Sequence, residues 1–389
     1  MIREEGIRIQ SIKLGLLTFV HFLADSTCGV LPGILPVVMT YFGLDLSYGV
    51  AFISLMGIGC NLMQIPISKL GSSSASPIWI CFGLLLIGSY TFMGFLPETT
   101  PFPVICLLIL LSALGISLVH PTGLRGVQAL DKLPAGMTTP LFMTGGFLGA
   151  AFSPLIAGIL AEQLGLKGLI IFFPIMLLTA FLIRILRVKL ATDTVKTGSK
   201  GEVESAWSFW TLFWFATFLN CGSAAFSGLV PYMLNKEIGF SLSFGNVALL
   251  LFGGGSSAVS VILGMIASKR RVDGLLLALM FLGIPFTILY FLLAEHPWAI
   301  VFALLCGTLC SSVFPIFVAM SKTAAGKYSL GVRMGLMVGG TWGIAGLVFL
   351  GIGIFANHYS ARTVLLISVP AFYFLSAVLA LCMRKREKE

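Results

Sequence analysis

Asp25 is a carboxylate inside an apolar run. From Ile12 to Met39 no other acid occurs. A charge at membrane depth is costly, and such residues commonly mark an ion or substrate path. His21 lies four residues earlier, on the same helical face. The two are expected to share a proton or a hydrogen bond, and they form the candidate proton-coupling pair. A second group stands further along. His120 precedes Pro121, and a proline within a helix frees a carbonyl and bends the axis. A histidine at such a bend can bind an anion when charged, relay protons, or simply hydrogen-bond to backbone. Arg125 follows about 7.5 Å along the helix, at 1.5 Å per residue. Its guanidinium suits an anionic group held by a two-pronged fork, or it snorkels to the headgroups. Asn61, Gln64 and Asn220 are polar groups in apolar runs. With His120 and Arg125 they make the candidate substrate-binding set, and interhelical hydrogen bonding accounts for them equally well.

The elements that must position these groups follow from composition. Of 389 residues, 58% are hydrophobic and 10% charged, with mean hydropathy +1.03. A soluble domain carries about 25% charged residues. A helical span of the hydrocarbon core needs about 20 apolar residues. Hydropathy and breakers predict twelve spans, at 11–40, 47–70, 77–97, 103–130, 136–163, 167–190, 207–236, 242–268, 272–294, 297–322, 332–357 and 361–384. The first run is longer than a signal-peptide core and is read as a retained span. The fold class is thus an all-α membrane protein. The polar stretch 191–206 reads as a linker between an amino-terminal bundle, 1–190, and a carboxy-terminal bundle, 207–389.

An even span count puts both termini on one side. With the alternate connections, that side holds every Lys and Arg except Lys167, Lys236 and Arg362. The positive-inside rule makes it cytoplasmic. The net charge of +9 is then a membrane collar, clearest at Lys269-Arg270-Arg271 and Arg384-Lys385-Arg386, and no nucleic-acid partner is expected. Trp79, Trp207, Trp210 and Trp298 lie near span ends, as an interfacial belt would. Phe22, Phe226 and Trp342 are candidates to reach a central cavity.

The two halves repeat. His120-Pro121 shifted by 194 falls on Phe314-Pro315, and Gly145-Gly146-x-x-Gly149 on Gly339-Gly340-x-x-Gly343. Nearer the start of each half the shift is 195, bringing Asp25 to Asn220 and Pro36 to Pro231. The second half keeps the polar position but not the charge. Two parallel six-span halves joined by a polar linker describe the major facilitator architecture.

The specific resemblance begins at the fourth span. His120-Pro121-Thr122-Gly123-Leu124-Arg125, then Leu141-Phe142-x-x-Gly145-Gly146-x-x-Gly149-x-x-x-Ser153-Pro154-Leu155, resembles the fosmidomycin-resistance branch of the major facilitator superfamily. His21-Phe22-Leu23-Ala24-Asp25, with Leu31-Pro32 and Leu35-Pro36, is similar to it too. The resemblance implies a bacterial inner-membrane exporter of small drugs driven by proton antiport. In span 5, Gly149, Ser153, Pro154, Ala157 and Gly158 resemble the superfamily's antiporter pattern with two small-for-small exchanges. Pro121, Gly145, Gly146, Gly149, Pro154 and Gly158 are read as the structural motif, small faces that let helices approach. The chain also departs from the superfamily. The loop between spans 2 and 3 keeps only Lys69 of its basic run and lacks its acid. Ser268 stands where the matching loop after span 8 has one. Thr122 replaces the branch's acid after His-Pro.

The soluble-enzyme classes fall away. No Gly-x-x-x-x-Gly-Lys-Ser/Thr loop is present, so ATP is not the direct energy source. The eight cysteines, with Cys306 and Cys310 one turn apart, read as packing residues, and no metal or cofactor is expected. The expected function is secondary active transport of a small molecule, by proton-coupled efflux through alternating access. Uptake of an anionic metabolite or metal chelate stands beside it, as does a lipid-handling or sensor protein on the same bundle. The expected partners are that substrate, protons and the lipid bilayer, and the chain is expected to act as a monomer.

Overall fold

The computed structural model describes residues 2–67, 74–133, 135–192, 207–267, 271–321, 333 and 335–386. The reduced loop with Lys69, the Ser268-Lys269-Arg270 run and the linker from residue 193 lie outside the described residues, as do the side chains of Arg384, Lys385 and Arg386. Among the described residues the structure is helical, with no strand.

The helices are α1 Ile2–Phe42, α2 Leu46–Leu62, α3 Ile78–Ile87, α4 Phe102–Gln128, α5 Ala135–Leu164 and α6 Phe172–Ile185, then α7 Phe209–Tyr232, α8 Leu242–Ala267 and α9 Asp273–Leu292. Helix α10 comes in two pieces, Ile300–Leu309 and Phe314–Ser321, joined by the 3-10 turn Ser311–Val313. Helix α11, Thr341–His358, follows a π turn over Leu336–Gly340, and α12 is Ala361–Arg386. Among the described residues ten stretches are long and apolar enough to cross a membrane, and α2, at 17 residues, is a shorter eleventh. One of the ten, 138–185, runs 48 residues. At 1.5 Å per residue that is about 70 Å, over twice the roughly 30 Å hydrocarbon core. It breaks after Leu164, where Gly165 takes φ +64° and a 3-10 turn follows over Gly165–Ile171. A side chain there would be strained. Helices α5 and α6 are therefore separate spans, which makes twelve among the described residues.

Close packing groups the chain into two units, Met1–Leu31 with Leu55–Gly198, and Pro32–Ser54 with Ser199–Glu389. In the first, the polar start of α1 is held by the loop after α4: Gln10 Nε2 donates to Asp131 Oδ1 at 2.6 Å, and the Lys132 amide to Gln10 Oε1 at 2.8 Å. In the second, the carboxy-terminal end of α1 is tied to α8 and to the end of α7. Asn246 Nδ2 donates to the Gly33 carbonyl, and Lys236 Nζ to Thr40 Oγ1, both at 2.9 Å. The core of this unit is aromatic, with Phe226 stacked on Phe252 at 4.3 Å and packed beside Tyr290 and Phe291. Trp207 departs from the belt expected of it. It is buried, edge-on to Phe215 and Phe317, packed inside the second unit's aromatic core. Trp210 and Trp298 are exposed, as a belt requires.

Candidate functional site

Helix α1 presents His21 and Asp25 one turn apart, and α4 brings His120 against the same carboxylate. His120 Nε2 lies 2.7 Å from Asp25 Oδ1, and His21 Nε2 lies 3.3 Å from Oδ2. The two imidazoles meet edge to face at 5.0 Å. Helix α5 completes the wall. The His21 ring stacks on Phe142 at 4.3 Å, and His21 Nδ1 donates to the Phe142 carbonyl at 2.8 Å. From the short helical turn Gln64–Ile67 after α2, Gln64 Nε2 donates to His120 Nδ1 at 3.0 Å. His21 is nearly enclosed, with 6% of its side chain exposed, while Asp25 and His120 keep 22% and 20%. The carboxylate is thus reachable on one side and packed on the others.

Close approach of α1 and α5 makes this possible. A Cβ on Gly146 would fall on Asp25 Oδ2 and within 2.7 Å of His21 Cε1 and Nε2. On Gly145 and Gly149 it would strike the carbonyls of Thr18 and Phe22. The glycine motif read as packing also clears the space in which the triad sits.

The hydrogen bonds constrain where the protons sit. A carbonyl only accepts, so His21 holds a proton on Nδ1. Its Nε2 then carries a second proton or points a lone pair at Asp25 Oδ2. His120 accepts from the Gln64 amide at Nδ1 and so donates from Nε2 to Oδ1. His21 Nε2 and Asp25 Oδ2 face each other at 3.3 Å, with the Phe142 ring stacked against the imidazole.

The other expected residues sit elsewhere. Arg125 donates from Nε to the Ala191 carbonyl and from one Nη to the Ser74 carbonyl, both at 2.8 Å. The Ala191 amide returns a bond to the Arg125 carbonyl at 2.9 Å. The guanidinium therefore ties the end of α4 to the chain before α3 and after α6, not to His120. Asn61 turns its amide to the Gly57 carbonyl of its own helix, at 2.8 Å. Asn220 lies in the second unit and donates to Thr341 Oγ1 at 2.9 Å. Thr122, standing in for the branch's acid, bonds back to the Leu118 carbonyl at 2.5 Å. Phe142 and Gly146 were visible as motif residues, but nothing in their spacing pointed to His21 and Asp25.

The sequence profile described as Major Facilitator Superfamily matches residues 14–347. The chain belongs to the Major Facilitator Superfamily. Within it, the chain is 22% identical over 369 residues to the fosmidomycin resistance protein of Escherichia coli (strain K12), covering 90% of this chain and 88% of that one. The resemblance to that branch is thereby borne out. Among solved structures, a bacterial homologue of the human lysosomal transporter Spinster, inward-facing and occupied, matches with TM-score 0.75 at 15% identity, covering 96% of this chain and 97% of that one. A point mutant of the nucleoside transporter NupG matches with TM-score 0.70 at 15% identity, covering 96% and 99%. As a major facilitator this chain is a multi-pass membrane protein and a secondary transporter of a small molecule.

Proposed function

We propose that this protein is a proton-coupled exporter of a small drug or metabolite. It works by alternating access in a bacterial inner membrane, as a monomer with both termini in the cytoplasm. The observation that carries the reading is Asp25 between two imidazole nitrogens, at 2.7 and 3.3 Å. A carboxylate so placed takes up and releases one positive charge with no change of fold, which is what an antiporter needs at its coupling group. His21, locked on Phe142, holds that charge. His120 and Gln64 form the more open side, where substrate and proton compete. The span 5 pattern from Gly149 to Gly158 supports export, as does the Escherichia coli relative's description as a resistance protein.

The test is drug tolerance. Expressed in cells stripped of their own fosmidomycin exporter, the chain raises tolerance to fosmidomycin, and Asp25→Asn abolishes the gain at equal membrane abundance. Asn keeps the shape and a hydrogen-bonding group but holds no exchangeable charge. Unchanged tolerance from Asp25→Asn would make the carboxylate structural and overturn the coupling role.

A further inference from the structure

We propose that His21, Asp25 and His120 also form a binding site for a divalent transition-metal ion of the zinc class. The three residues bring two imidazole nitrogens and a carboxylate oxygen within 4.8 Å of one another. Two imidazoles and one carboxylate suit zinc, with a fourth position left for water or a substrate oxygen.

The His21 distance favours this, while the His120 Nε2–Asp25 Oδ1 pair, a 2.7 Å hydrogen bond, has to open to admit an ion. Charge-assisted hydrogen bonds between a cation and a carboxylate run about 2.7–2.9 Å. The 3.3 Å between His21 Nε2 and Asp25 Oδ2 is longer. Metal bonds of about 2.0–2.1 Å in a tetrahedron set neighbouring ligands roughly 3.3 Å apart. The surrounding bonds also have the form a metal site requires. A ligating histidine usually donates its other ring N–H to a carbonyl or similar acceptor. His21 Nδ1 already does so, to Phe142, which leaves Nε2 as the ligating atom. His120 Nδ1 faces the Gln64 amide. With that amide turned over, Gln64 Oε1 accepts from Nδ1–H and His120 Nε2 becomes a ligand. Binding then sends the His21 Nε2 proton to water and moves the His120 proton from Nε2 to Nδ1. Partial exposure of Asp25 and His120 gives the ion a way in.

A bound ion occupies the place of the proton in the proposed coupling step. That consequence rests on the proton-coupled reading; binding itself does not. The experiment is titration of purified, chelator-stripped protein with Co2+ and then Zn2+, followed by visible absorption and calorimetry. One Zn2+ per chain is expected, displacing Co2+ from a tetrahedral absorption band. His21→Gln, Asp25→Asn and His120→Gln should each weaken binding at least tenfold while melting like wild type. Gln64→Ala, which removes only the outer partner, should weaken it about 10-fold to 100-fold. The exposed His296 and His358 serve as controls, and changing both to Gln should leave binding intact. No binding, or equal binding by the three ligand variants, overturns the proposal. Fosmidomycin tolerance measured with zinc chelated separates the two claims. Tolerance without zinc binding sinks only the metal site, and zinc binding without tolerance sinks only the exporter.

Discussion

The space taken by one methyl group decides the site. Gly146 is inside α5, where alanine is the better helix former by about 1 kcal/mol. Its added Cβ would meet Asp25 Oδ2 and the His21 ring. The clash outweighs the propensity, so Gly146→Ala should abolish transport and metal binding together while the protein still folds. Gly264 in α8 has open space at the same position, and Gly264→Ala should leave transport intact. Transport assays paired with thermal unfolding in detergent would show this, and an active Gly146→Ala would mean the triad tolerates displacement. At this scale the sequence was half legible. His21 and Asp25 could be paired because helical spacing is local. His120 is 95 residues from Asp25, and only tertiary packing brings them together. Arg125 read as an anion fork because its nearest neighbour in sequence was His120. Its partners, the Ser74 and Ala191 carbonyls, lie 51 and 66 residues away.

At the scale of elements, hydropathy is a strong signal because each span must satisfy its backbone internally and show apolar side chains to lipid. The predicted spans accordingly match the helices to within a few residues at most ends. Interruptions were less legible. The π turn Leu336–Gly340 has ordinary apolar residues and no proline. The break in α10 falls just before Pro315, where the prediction ran one helix through. Trp207 was misplaced because nearness to a span end does not say whether the end is covered. The Arg125 clasp belongs to this scale, since it joins three chain segments through backbone carbonyls. Arg125→Ala should lower stability by about 1.5–3 kcal/mol, the range for hydrogen bonds to a charged group. It should leave zinc affinity unchanged. Arg125→Lys should rescue little, because an ammonium cannot span both carbonyls as the planar fork does. Thermal unfolding beside zinc calorimetry would check both, and a loss of affinity without loss of stability would return Arg125 to the site.

For the whole molecule, the positive-inside rule is the basis of the proposed orientation, and the exceptions are as informative as the rule. Three basic residues, Lys167, Lys236 and Arg362, fall on the minority side of the topology read from the sequence, and two of them are pinned. Arg362 pairs with Glu295 at 2.5 Å and donates to the Phe291 and Leu292 carbonyls. Glu237 accepts from the Ala361 and Arg362 amides at the start of α12, at 2.6 and 2.9 Å, where a carboxylate also suits the helix dipole. Lys236 donates to Thr40. Fixed charges of this kind hold helix ends and add little to the bias that orients a membrane protein, which comes from the remaining Lys and Arg. Orientation can therefore be read directly. In a variant without native cysteines, Lys167→Cys, an exposed site, should react with a membrane-impermeant maleimide in intact cells. Lys196→Cys, in the linker, should react only once the membrane is opened. Reversed reactivity at both sites would put the termini outside. The exchange itself would still run protons inward and substrate outward, because under alternating access Asp25 is reached from each face in turn and the gradient sets the direction.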